Sequence, residues 1–173
     1  PLELLKALVA RGTAWVAEHD LADHLWPDEE ADAAHKSLAS ALHRLRGLLG
    51  SHDAVELLGS RLRLNPELVW TDVGALNHHL RISPSNDQAD RVAVLYHGTL
   101  FPDDHDDTWV LSARQRIAHA VTNVFEMHAR CRERDGFPEE ALIWYERALR
   151  IDETREDLRR SLARAREESG RNA

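Results

Sequence analysis

Apolar residues recur along most of the chain at spacings of three and four, the period of amphipathic helices. The pattern is sharpest from Ala33 to Leu49, where Leu38, Ala41, Leu42, Leu45 and Leu49 form one stripe. Lys36, Ser40 and His43 fall opposite it, with Arg44 and Arg46 at the two edges. This predicts a helix with an apolar back and a front of short polar and cationic side chains. A DNA groove admits such a front, and so does bulk water around any surface helix. Two shorter helices precede it. Leu2–Arg11 turns Leu4, Leu5, Leu8 and Val9 inward and stops at Gly12. Residues 13–16 read as an extended link. Residues 17–25 turn Leu21, Ala22 and Leu25 inward and end at Trp26-Pro27, because the residue before proline avoids the helical region. Residues 28–32 form an acidic turn, and Gly47 and Gly50 close the long helix.

The period then changes. Residues 54–58 and 62–64 are short apolar runs split by Gly59-Ser60-Arg61, a hairpin signal, and Val69-Trp70 is read as a third strand beyond Asn65-Pro66. Helix, helix, acidic turn, longer helix and hairpin is the order of a winged helix-turn-helix, with Arg61 and Arg63 flanking the tip of the wing.

Thr71-Asp72 reads as a boundary and an N-cap. Beyond it every period is helical: residues 73–80, a turn at Ser83-Pro84-Ser85-Asn86, residues 87–96, and a long helix over 109–134. The long helix turns Leu111, Ile117, Ala118, Val121, Val124, Phe125 and His128 inward. Asp135-Gly136 ends it, and helices over 139–151 and 156–168 follow, with residues 170–173 as a frayed tail. Ala129, Ala141, Tyr145 and Ala148 stand at the small and aromatic positions of a tetratricopeptide-type unit, although its usual proline position carries Glu153. The fold class is therefore mainly α: a winged helix with a small wing over residues 1–72, then a TPR-like helical domain over residues 73–173.

Charge refines this picture. The chain of 173 residues has a net charge of −8, which argues against nonspecific coating of nucleic acid. The charge is segregated. Residues 1–30 hold two basic and seven acidic side chains, a balance of −5, whereas residues 35–63 hold five basic and two acidic ones, a balance of +3. The single cysteine, Cys131, excludes an internal disulfide framework and suits the reducing cytoplasm. No apolar run approaches membrane-spanning length, and no membrane partner is expected. The chain begins at Pro1 inside a helical pattern, as a piece of a longer protein would.

The segments PLELLKALVARG, DLADHLWPDEEADAAHKSLASALHRLRGLLG and AVELLGSRLRLN, followed by LYHGTLFPDDHDDTWVLSARQRI and GFPEEALIWYERALRID, form an ordered set. That set resembles the bacterial transcriptional activators of the antibiotic regulatory protein type. In that family an OmpR-like winged helix precedes a helical bacterial transcriptional activator domain. The resemblance covers nearly the whole chain, without the small N-terminal sheet of an OmpR-like domain. It implies transcription regulation, with double-stranded DNA as partner. It also implies a helical domain that serves as a homodimer contact or meets RNA polymerase or another protein. Carried over residue by residue, the DNA-binding positions are Lys36, Ser37, Ser40, His43 and Arg44 in the recognition helix and Arg61 and Arg63 in the wing.

No enzyme is expected, and no cofactor or metal. Eleven histidines are present, but none shows the two-histidine, one-glutamate spacing of a zinc hydrolase. Asp103, Asp104, His105, Asp106 and Asp107 form the densest candidate ligand cluster, without the glycine and terminal glutamate of a calcium loop. They read as a solvated turn capping the next helix. The alternative to a DNA-binding regulator is a protein–protein interaction module that keeps a vestigial winged helix.

Overall fold

The computed structural model describes residues 1–82, 87–104 and 108–172, with side chains to residue 170. Among the described residues the chain is mainly α, with eight α-helices and one three-stranded antiparallel sheet. It divides into two compact units, Pro1–His78 with Leu100–Ala113, and His79–Thr99 with Arg114–Ala173.

The first unit opens with helix α1 (Leu2–Arg11), strand β1 (Val16–Ala17), helix α2 (Glu18–Leu25) and helix α3 (Ala31–Leu49). Gly12 ends α1 at φ 64°, donating its N–H to Val9 O at 2.8 Å. The predicted stripe of α3 is buried at Leu38, Ala41, Leu42 and Leu45, and Leu49 packs against the same core. Leu4 and Leu8 of α1 and Leu21 and Ala22 of α2 complete the helical side of that core. Gly50 ends α3 in the left-handed region, φ 72° and ψ 5°, whereas Gly47 lies inside the helix and closes nothing.

A short 3-10 turn (His52–Ala54) leads into strand β2 (Val55–Leu58), and strand β3 (Arg61–Leu64) returns. The strand order is β1-β3-β2, and Leu58 pairs with Arg61. The connection is thus Gly59-Ser60 alone, two residues rather than the three predicted. Gly59 has φ 58° at the first loop position, where a tight hairpin calls for glycine. Val55, Leu62 and Leu64 point into the core between sheet and helices.

The third strand is a correction. Val69-Trp70 is not a strand, and Trp70 stays 75 % exposed. Asn65 folds the chain into a turn instead, accepting from Leu68 N and Val69 N at its carbonyl and from Glu67 N at its side chain. The supposed link before α2 supplies the strand, with Val16 opposite Leu62 and Ala17 opposite Arg61. Two residues are too few to display a period of two, so the pattern could not reveal them.

Helix α4 (Asp72–Arg81) begins as predicted, with Thr71 Oγ1 accepting from Gly74 N at 2.9 Å. The predicted turn at Ser83, Pro84, Ser85 and Asn86 lies outside the described residues. Helix α5 (Gln88–Leu95) is followed by helix α6 (Thr108–Arg134). The predicted inward stripe of α6 is wrong at one end. Leu111 is 44 % exposed, while Val110 and Ala113 are buried in line with Ile117. Counting back from Ile117 by four and three gives those two positions, and leucine's hydrophobicity masks that register.

In the second unit Ile117, Val121, Val124 and Phe125 of α6 are buried. Helix α7 (Pro138–Ile151) and helix α8 (Glu156–Asn172) follow, and α8 is longer than the predicted helix, taking in residues expected to fray. Gly136, at φ 85°, donates to Glu133 O, and Phe137 donates to Arg132 O, so α6 ends in a paired glycine cap. Ala129, Ala141, Tyr145 and Ala148 are all fully buried, as the repeat reading requires. Trp144 meets the Phe125 ring at a tilt and the His128 ring edge-on, with centroids at 5.2 Å and 4.8 Å. Burial pushes the pKa of the His128 imidazole down, and the nearby Arg132 adds to this.

Candidate nucleic-acid interface

The α2–turn–α3 unit and the β2–β3 hairpin bring one face of α3 beside the edge of the sheet. Lys36, Ser40, His43 and Arg44 are exposed on α3, and Ser37 is half-buried. Ser37 Oγ donates to Glu29 Oε2 at 2.9 Å, which ties the acidic turn to the first half of the helix. Glu29, Glu30 and Asp32 thus surround the N-terminus of α3, where negative charge complements the helix dipole. They also repel an approaching phosphate there. The open cationic face begins at Lys36.

Arg44 folds back on its own helix, its Nε donating to Ser40 O at 3.3 Å, and leaves the rest of its guanidinium outward. Among the described residues Lys36 and Arg61 make no ion pair within 4.0 Å, so both keep their full charge toward solvent. Arg61 stands at the exposed end of the hairpin.

Arg63 is held differently. Its Nε donates to Glu56 Oε2 across the strand pair, and its guanidinium lies 4.4 Å from the Trp15 ring centroid. Glu56 offsets its charge, so Arg63 fastens the hairpin and presents a stacked edge rather than a free cation.

An open cleft of about 680 Å³ runs between α3 and the sheet, lined among others by His35, Ala39, His43, Arg46, His52 and Leu57. Sequence reasoning missed His35 and Ala39 as part of this surface. They sit one edge around from Lys36 and Ser40, on the side that the hairpin selects, and only the position of the hairpin identifies that side. Arg46 fixes the cleft wall: Nη2 donates to Val55 O at 2.7 Å and Nη1 donates to His52 Nε2 at 3.0 Å. Polar and small side chains on one helix beside a hairpin with a cationic tip are suited to a groove and its flanking phosphates.

No group of three metal-ligating side chains is found among the described residues. Of the acidic run, His105, Asp106 and Asp107 lie outside the described residues. Asp104 accepts from Lys6 Nζ at 2.9 Å, and that bond raises the lysine's pKa. Among the described residues no helix is long and apolar enough to cross a membrane.

No curated protein matches the chain. The family model of the bacterial transcriptional activator domain matches residues 72–173, more than half of the sequence. With its small, aromatic and small positions packed between α6, α7 and α8, the chain belongs to the bacterial transcriptional activator domain family, a family of transcriptional regulators rather than enzymes.

Proposed function

We propose that the chain regulates transcription in the bacterial cytoplasm by binding double-stranded DNA through a winged helix over residues 1–72. In this reading α3 enters the major groove and the hairpin is the wing. The observation that carries it is the outward face of α3, lying beside a hairpin whose tip presents Arg61, with Lys36 and Arg61 both without an ion pair among the described residues. Lys36, Ser37, Ser40 and His43 meet base edges, Arg44 and Arg61 meet phosphates, and Arg63, held by Glu56 and Trp15, sets the wing that carries Arg61 against the DNA. The acidic turn at the N-terminus of α3 pushes the contact toward the middle of the helix. The TPR-like domain over residues 73–173 contacts RNA polymerase, another protein, or a second copy of the chain.

The test is selection of bound duplexes from a random pool. The expected outcome is a recovered sequence preference that changes with K36A, because that side chain faces base edges. Equal recovery of all sequences by both proteins contradicts the reading and favours an interaction module with a vestigial winged helix.

A further inference from the structure

The second unit carries an open cleft of about 610 Å³ on α5, the segment after it, α6 and α7. Ala93, Val94, Tyr96, Phe125 and Ile151 give it an apolar floor and wall, and Val94 is 70 % exposed. Arg147 and Arg150 of α7 line the same cleft. At a spacing of three they share one face of the helix, about 5 Å apart along it.

These two guanidiniums differ from most of their neighbours. Arg130 and Arg132 of α6 and Arg155, Arg159, Arg164 and Arg166 around α8 each have a carboxylate within 4.0 Å. Among the described residues Arg147 and Arg150 have none. Asp90, across the cleft, is the one carboxylate that lines it among the described residues, and it pairs with neither arginine. Arg147 is held ready. Its guanidinium lies 4.6 Å from the Trp144 ring centroid, and Trp144 is itself clamped by Phe125 and His128. A cation stacked this way loses little rotamer freedom on meeting an anion, and its planar fork matches a carboxylate.

The structure assigns this cleft as a docking site for an acidic peptide segment of a partner protein, one that sets carboxylates beside apolar side chains. Charge complementarity carries the assignment: two unpaired cations stand on the rim of an apolar trough, in a chain whose net charge of −8 otherwise repels acidic partners. The cleft is open to solvent, so a peptide segment reaches it without a rearrangement of the fold. This deepens the reading that the helical domain contacts a protein, and it does not depend on the DNA contact.

The test uses the full chain and a fluorescein-labelled, capped peptide, Gly-Glu-Leu-Glu-Leu-Glu-Gly, followed by anisotropy, with its glutamine counterpart as control. Saturable binding of the glutamate peptide is expected, at least tenfold tighter than that of the glutamine peptide and weakened by salt. R147Q/R150Q lowers the affinity at least tenfold. V94E does the same from an exposed position by placing a competing carboxylate on the cleft, so a folding defect at Arg147 does not decide the result. Duplex binding by both variants stays at the wild-type level, which separates failure here from failure of the DNA reading. Equal binding of the two peptides, or no effect of either variant, overturns the assignment.

Discussion

Arg61 and Arg63 stand two positions apart on one strand, yet their surroundings give them different work. Arg61 is exposed at the hairpin end, while Arg63 is spent on Glu56 and Trp15. Residue type and alternation place both on the outward face of the strand, and only the partner strand reveals the difference. The same logic applies in the second unit. Thr122 is fully buried and its hydroxyl has no hydrogen-bond partner among the described residues. Valine keeps its shape and removes an unsatisfied polar group, so T122V is expected to stabilise the fold by about 1 kcal/mol. Chemical denaturation of the two proteins checks this; lower stability in the variant contradicts the placement of that side chain.

Tyr145 is the opposite case, a buried hydroxyl with a partner. It donates to Glu133 Oε2 at 2.7 Å, and Arg164 meets the same carboxylate at 3.2 Å. Burial, together with that hydrogen bond, pushes the phenol pKa up to about 12. The neutral phenol is therefore favoured by folding. Its contribution is complete below about pH 10, the unfolded value, and is lost as pH rises toward the folded value. Stability measured from pH 8 to pH 11.5 is expected to fall at the alkaline end in the wild type and to fall less in Y145F.

Among the elements, α3 shows how glycine works by position. Gly47 lies inside the helix with nothing within 4 Å of an added Cβ, so G47A is expected to stabilise by about 0.5–1 kcal/mol. Gly50 has the same open space but sits at φ 72°, so G50A is expected to destabilise by about 1 kcal/mol. Thermal melts of the two variants should move in opposite directions. A shared direction would mean that the helix ends elsewhere.

The long elements were legible because their apolar stripes repeat over several turns. The bounds of α1 match the prediction, and α3, α4 and α7 differ from it by one or two residues at an end. The candidate face of α3 was legible for the same reason, since an apolar back defines a front. Strand β1 was not legible, because two residues carry no period and its pairing with β3 spans more than forty positions. The side of α3 that carries His35 and Ala39 was hidden as well, because the hairpin that forms the cleft is positioned by core contacts of Val55, Leu62 and Leu64 rather than by local sequence. At Leu111 residue type outweighed register, and a large apolar side chain was placed inside although it faces out.

At the scale of the whole molecule, charge is arranged against the average. A chain of net charge −8 keeps a local positive balance of +3 over residues 35–63, on α3 and the hairpin, and concentrates acidic side chains before and at the start of α3. Long-range repulsion of DNA is thus set against a local attraction, and the balance must depend strongly on ionic strength. The most direct measurement is anisotropy of a labelled duplex across a salt series, with wild type and K36A/R44A/R61A in parallel. Each lost phosphate contact lowers the slope of log affinity against log salt by about 0.9. With Arg44 and Arg61 as the phosphate contacts removed, the variant is expected to bind at least tenfold more weakly at low salt, with a slope shallower by about 1.8. Equal affinity and equal slope for the two proteins would contradict the DNA-binding role of this face.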